Sequence, residues 1–328
     1  MLLLIIRRLA LGLLVLSVVA FISFVMFTYV GDPVQSMLGQ EATVADREAL
    51  MERLGLNDPF FVQFGKFLGR ILQGDFGVSY RLSRPVNQLI LERLPATLEL
   101  ALVSALFASV FGLVLGLYTA INRGGLIANF IMSTSLIGVS LPTFLIGILL
   151  IWVFSVELGW FPSFGRRGLV DVGLWQTGLL TIEGWKSLLL PALTLGLYQM
   201  TLIMRLVRSE MIQVLGSDFI RFSRARGLKE RQVLFAHALK NTLIPVITVA
   251  GLQLGTIVAF AVVTETVFQW PGVGLLFINS VAFPDVPVMA AYLLLVAVVF
   301  VVINLIVDLL YLLIDPRLRD GQLRGAGG

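Results

Sequence analysis

The chain has 328 residues, of which 58% are hydrophobic and only 13% charged, and its mean hydropathy is +0.94. That composition leaves too little polar surface for a dispersed soluble domain, and apolar runs of about 18 residues or more mark spanning helices whose backbone groups are all paired internally, so the predicted class is an all-α integral membrane protein. The net charge of +4 collects in one segment between apolar runs, as membrane topology favours, so no nucleic-acid partner is inferred; the absence of cysteine excludes disulfides, thiolate metal sites and cysteine nucleophiles.

The opening "MLLLIIRRLALGLLVLSVVAFISFVMFTYV" (residues 1–30) carries an apolar stretch from Leu9 to Val30, longer than a typical signal-peptide core and without an A-x-A-like cleavage site before "GDPV". It is read as a retained first span with Arg7 and Arg8 on the cytoplasmic side. The region 31–94 is too long for a simple connector and is placed outside. Within it, "DPFFVQFGKFLGRILQG" sets Phe60, Phe61, Phe64, Phe67, Leu68, Ile71 and Leu72 on one side at helical spacing, with Gln63, Lys66, Arg70 and Gln73 largely elsewhere. This predicts an amphipathic helix, lying on the outer interface or packing over the pore mouth. Simple coverage of the bundle and a role in docking or gating are both open.

Five further spans are predicted near 97–121, 132–154, 188–211, 243–267 and 288–314, within a transmembrane domain of residues 95–314 followed by a tail, 315–328. Pro142 kinks or divides the apolar run Leu126–Leu158, because proline lacks a donor and clashes with the preceding turn. Pro191 and Pro245 fall near span starts, where proline is better tolerated. Placing Arg123, the basic segment around Arg205–Lys240 and the basic tail (Arg317, Arg319, Arg324) inside gives six spans with both termini cytoplasmic. Arg166, Arg167 and Lys186 then fall outside, against the trend. The pairs Gly112/Gly116 and Gly251/Gly255 permit close helix approach, though such spacing is common in membrane helices.

No G-x-x-x-x-G-K-[ST] occurs, since "FGKF" around Lys66 lacks the leading glycine and the hydroxyl. H-E-x-x-H and G-x-S-x-G are missing too, and His237 is the single histidine, so neither a metal site nor catalytic chemistry is indicated. A transport protein without its own energy source is the expected class, ahead of an embedded enzyme. Ionisable groups in spans face a bundle interior or a cavity. Glu99 lies near the start of the second span and Glu265 near the outer end of the fifth. In the last span Asn304, Asp308 and Tyr311, followed by Asp315, form a polar stripe, which serves either interhelical hydrogen bonding or the wall of a translocation path. "TETVFQWPGVG" (Thr264–Gly274), with Trp270, reads as a gate or partner contact, or as an interfacial aromatic anchor with a turn.

Ser217–Asn241, "SDFIRFSRARGLKERQVLFAHALKN", has one glycine and no proline, and mixes charged helix formers with Ile220, Phe222, Leu228 and Val233. Ser217 or Asp218 is suited to cap a short helix and Gly227 to end it in a left-handed conformation, with a second helix from about Lys229 leading into the fifth span. The expected product is an ordered knob, the form of a docking surface. The surrounding "MRLVRSEMIQVLGSDFIRFSRARGLKERQVLFAHALKNTLIPVITVAG" closely resembles the cytoplasmic loop of peptide-type (dipeptide, oligopeptide, nickel) ABC importer permeases, whose pattern runs D-[YF]-[IV]-R-x-A-R-A-K-G-L, then H-A-L-[RK]-N, then a proline. Asp218, Phe219, Ile220, Arg221, Arg224, Ala225, Gly227, Leu228, His237, Asn241 and Pro245 fit, Arg226 replaces lysine, and Phe222 and Ser223 depart. "LGLNDPF", "GDFGVS", "ERLPATLELAL", "GLQLGT", "NLIVDLLY" and "DPRLR" extend the resemblance over nearly the whole chain, best to the B-type member of the paired permeases.

The resemblance implies a coupling helix formed by Asp218, Phe219, Arg221, Arg224, Ala225, Arg226, Gly227 and Leu228, with His237 helping to fold the knob. It implies two separate P-loop ATP-binding subunits carrying ATP and Mg, a homologous second permease subunit in a heterodimer, an external solute-binding protein and surrounding membrane lipid, in a prokaryotic plasma (inner) membrane. This chain itself would bind no cofactor or metal. Glu99, Glu265, Trp270, Asn304, Asp308 and Tyr311 are the candidate path or gate residues. The competing expectation is a stand-alone secondary transporter or channel, against which no inverted pair of broken helices is found.

Overall fold

The computed structural model describes residues 2–29, 43–45, 48, 51–52, 57–173 and 175–314. The tail 315–328 and much of 31–56 lie outside the described residues. Helix α1 is Leu2–Tyr29, α2 Phe60–Leu72, α3 Val86–Ile121, α4 Leu126–Ser140 and α5 Thr143–Leu150, which continues as a π-helical turn, Ile151–Glu157. A two-residue antiparallel pair follows, β1 Val170–Asp171 with β2 Gln176–Thr177. Then come α6 Ile182–Leu215, α7 Asp218–Ala225, α8 Glu230–Gln232 with a π-helical segment Val233–Leu239, α9 Lys240–Val267, α10 Val273–Ala282 and α11 Val286–Ile314.

Among the described residues, five helices are long and apolar enough to cross a membrane, or up to six if the bent pair Leu126–Ser140 and Thr143–Glu157 is one span. That pair bends by 111°. The cause is local: Leu141, preceding Pro142, is driven to an extended backbone (φ −93°, ψ 139°), and the helix restarts after the proline.

The chain divides into two compact units, one of Leu98–Trp270 with the chain from Val302, the other of Leu2–Thr97 with Pro271–Val301. In the second unit, Phe24 of α1 meets Phe60 and Phe64 at 5.3 Å and Phe67 at 5.5 Å between ring centroids, so α2 is held by edge and tilted aromatic contacts. Ala20 and Leu294 complete that cluster with the buried Phe67. The α2 face is narrower than its apolar content predicts, because Phe61 and Leu72 are 83% and 87% exposed. At about 100° per residue they sit well round the cylinder from Phe67, and an apolar count does not fix that arc. Helix α3 begins at Val86, ahead of the expected boundary at 95, because Val86, Leu89 and Ile90 are buried against Val273, Leu276, Val288 and Ala291. The loop before α3 is tied by the buried Asp285 carboxylate, which accepts from the Ser79 hydroxyl and the Tyr80 amide.

Gly65 and Gly69 of α2 have open space where a Cβ would stand. Glycine inside a helix costs roughly 0.5–1 kcal/mol relative to alanine. Gly69→Ala is therefore expected to raise the melting midpoint in detergent slightly, and a fall would show that something packs on that stripe.

The first unit is organised around α6, whose inward positions from Gly184 to Met211 are largely buried. Small residues set its distance from its neighbours. A Cβ at Gly112 would lie 2.8 Å from Ile203 and 3.0 Å from the Met200 carbonyl, and at Gly116 2.7 Å from the Met204 carbonyl. On α4, Gly138 lies against Thr201, whose hydroxyl donates to the Ser135 carbonyl at 3.2 Å. On α9, a Cβ at Gly251 would meet Val307 of α11 at 2.6 Å.

Candidate functional site

Two constellations stand at opposite ends of the helices of the first unit. Helix α9 has 28 residues, about 42 Å of rise, between them.

At one end, α7 and the π-helical segment form a knob. Ser217 has the extended backbone of a capping residue (φ −73°, ψ 153°), but its hydroxyl donates back to the Val214 carbonyl at 2.7 Å rather than capping α7. Gly227 closes the helix in the left-handed region, φ +76°, with its amide donating to the Arg224 carbonyl at 2.9 Å. The chain then reverses and Lys229 starts the return. Beneath the turn, Ile220, Val233, Ala238, Met211 and Ala120 form a buried cluster with Leu228 packed against it. The Arg123 guanidinium donates to the Ile212 carbonyl at 3.1 Å, fastening the α3–α4 turn to the end of α6.

The opposite face of the knob is exposed and both aromatic and basic. Phe219, Phe222 and Phe235 stand out from it, and Phe222 is 63% exposed with the Arg226 guanidinium 5.9 Å over its ring. Phe222 therefore adds to the outer face and does not crowd the packing below, while Ser223 is buried and donates to the Phe219 carbonyl. Arg224 donates to both carboxylate oxygens of Glu230, at 3.1 Å and 2.6 Å, so part of its fork braces the turn from within. Arg221 contacts Asp218 at 3.3 Å. Of the predicted coupling residues, Asp218, Phe219, Arg221, Arg224, Ala225, Arg226 and Gly227 are exposed, whereas Leu228 and His237 are half-buried. The His237 ring meets Phe219 edge-on at 5.7 Å and its backbone carbonyl accepts from the Asn241 side-chain Nδ2 at 2.8 Å, a supporting position.

At the other end, the segment between α5 and α6 folds over α3 at Glu99 and over the adjoining ends of α6 and α9. Arg166 donates to the Glu99 carboxylate and to the Gln176 carbonyl, and its guanidinium lies 5.9 Å over the Trp270 ring. The Gly165 amide donates to the Phe268 carbonyl at 2.9 Å, and the Arg167 amide to the Ser187 hydroxyl at 3.3 Å. The Trp270 amide donates to the Glu265 carbonyl at 2.8 Å, and the Glu265 side chain is fully buried. The structure thus gathers Glu99, Glu265 and Trp270 at one end and adds Arg166. Sequence reasoning noted Arg166 only as a cation on the disfavoured side; the structure buries its side chain in an ion pair with Glu99.

Trp270 is 1% exposed, so its ring is not an interfacial anchor. The other four tryptophans, Trp152, Trp160, Trp175 and Trp185, are exposed around the same end. Asn304 is half-buried on α11, one turn before Val307. The side chains of Asp308 and Tyr311 lie outside the described residues.

Residues 112–320 match the family described as binding-protein-dependent transport system inner membrane component, and residues 1–101 match its N-terminal companion. The chain belongs to this family. The permease is 40% identical over 326 residues to a dipeptide transport system permease protein, DppB, of Alkalihalophilus pseudofirmus, covering 95% of this chain and 98% of the relative. It is 42% identical over 317 residues to the oligopeptide transport system permease protein AppB of Bacillus subtilis, covering 96% and 98%. Among solved structures, the inward-facing MetNI methionine ABC transporter matches with a TM-score of 0.55 at 20% identity, over 70% of this chain and 97% of that one, a likeness of fold. The permease is thus a membrane-embedded subunit of a binding-protein-dependent ABC importer, in a family of transport subunits rather than ATPases.

Proposed function

We propose that the permease imports peptides or a closely related small solute as one half of a heterodimeric path. Its homologous partner permease forms the other half, an external solute-binding protein delivers the cargo, and two P-loop subunits carry the ATP and Mg. Six spans with both termini in the cytoplasm of a prokaryotic inner membrane place the knob beside those ATPases. The observation that carries this reading is the exposed aromatic and basic face of Phe219, Arg221, Phe222 and Arg226 on a knob whose opposite face is packed into the helices. A surface of that kind, with aromatic anchors and arginine forks around a rigid turn, suits a groove of acidic and carbonyl groups. Movement of the ATPases would then reach α6 and α9 directly, because the knob is continuous with both. The peptide assignment rests on the names of the relatives. Glu99, Glu265 and Trp270 would belong to the external gate, and Asn304, Asp308 and Tyr311 to the path wall on α11.

The test is to isolate the permease from its native membrane in mild detergent and identify its stoichiometric partners. Recovery of a second permease and a P-loop ATPase is expected. Recovery of the permease alone, with uptake driven by an ion gradient, would replace this reading by a stand-alone transporter.

A further inference from the structure

We infer that Arg166 is a positioning residue that latches the segment between α5 and α6 over the Glu99 end of the helices, and that this latch sets how seldom the importer cycles when idle. The second half rests on the ATP-driven reading above; the first does not.

One side chain ties together three elements. Arg166 holds Glu99 on α3, the Gln176 carbonyl on β2 and the Trp270 face beyond α9. The arginine and glutamate side chains are only 5% and 9% exposed. Buried ion pairs are seldom more stabilising than apolar packing of the same volume, because both charges must first be stripped of water. Stability alone therefore does not account for this pair, and a switching role does.

The pair is also incompletely satisfied. Among the described residues, Arg166 Nε and Glu99 Oε1 are both buried without a hydrogen-bond partner. Each carries a desolvation penalty that an open state, with water at both groups, would remove. The closed state is thus held by strong charge-assisted bonds and opposed by the desolvation of two buried polar atoms. The flanking bonds, Gly165 to Phe268 and Arg167 to Ser187, are made by neutral backbone amides. Arg166 is the charged clamp among them.

The chain's lack of cysteine gives a direct test. Ser187 is buried beneath the segment, against the Arg167 amide. In the assembled complex in lipid nanodiscs, Ser187→Cys is expected to react slowly with a water-soluble maleimide. Adding Arg166→Gln or Glu99→Gln should raise that rate at least about fivefold, the lower end of typical coupling between sites, and raise ATP hydrolysis in the absence of binding protein by a similar factor. The double variant should do no more than either single one, because all three remove one shared interaction. If Arg166→Gln fails to assemble, Arg166→Lys keeps the charge but loses the fork, and a rate between native and that of Glu99→Gln is expected. Unchanged labelling, effects that multiply in the double variant, or faster labelling without faster idle hydrolysis would overturn the proposal. A complex with no ATPase activity in any form would instead overturn the functional reading, and labelling alone would then decide the latch.

Discussion

On the docking proposed for the knob, Gly227→Val is expected to weaken association of the permease with the ATPase subunits roughly tenfold, while Gly227→Asn retains it. The backbone at Gly227 is left-handed, φ +76°, and a Cβ there would meet open space. The effect is therefore conformational rather than steric against neighbours. A residue with a Cβ pays about 1–2 kcal/mol in this region, a β-branched one at least that, and asparagine much less. To escape the strain, valine reopens the turn between α7 and Lys229, so α7 loses the Arg224–Glu230 brace and the packing of Ile220 with Val233 that hold its aromatic and basic face in place. Carrying the strain into the docked state instead lowers affinity by about the stated factor. Co-purification of the ATPases at defined detergent and salt measures the outcome. Equal behaviour of the two variants would remove the turn from the account of coupling.

Gly116→Val is expected to be strongly destabilising to the packing of α3 on α6. Its Cβ would stand 2.7 Å from both the Met204 carbonyl oxygen and the Val207 Cβ of α6. A backbone carbonyl cannot swing aside as a side-chain tip can, so α3 and α6 must separate. Overpacking of this kind costs about 1–3 kcal/mol, and separation of the helices also disturbs Ile203 and Val207 in the buried cluster with Ala108 and Val246. A clear drop in the detergent melting midpoint, opposite in sign to Gly69→Ala, is the expected result. An unchanged midpoint would mean that the α3–α6 contact is looser than the structure shows.

These two glycine pairs show what a pattern conveys. Gly65/Gly69 and Gly112/Gly116 have the same spacing, yet the first pair faces open space and the second faces a helix backbone. Local rules do reach some features. The break at Leu141–Pro142 follows from proline's effect on its predecessor, and the left-handed Gly227 follows from the lack of any other residue suited to end α7. Features that depend on distant residues do not follow in this way. Glu99 and Arg166 are 67 positions apart, and nothing near either identifies the other. Asp285 pairs with Ser79 across 206 positions. The π-helical turns at Ile151–Glu157 and Val233–Leu239 carry no residue signature that separates them from ordinary helix. For the knob, charge and spacing predicted order, but which aromatic rings point outward depended on how α7 rests on Met211 and Val233. Phe222 faces outward and so leaves the buried face of α7 to Ile220 and Ser223.

The placement of the tryptophans makes the permease optically one-sided. All five indoles sit at the Arg166 end, four exposed and one, Trp270, sealed beneath the guanidinium. Its intrinsic ultraviolet emission thus reports on that end and is blind to the knob. Quenchers confined to water or to lipid would sort the four outer rings by depth, while the shielded component from Trp270 would supply an internal reference within the same spectrum.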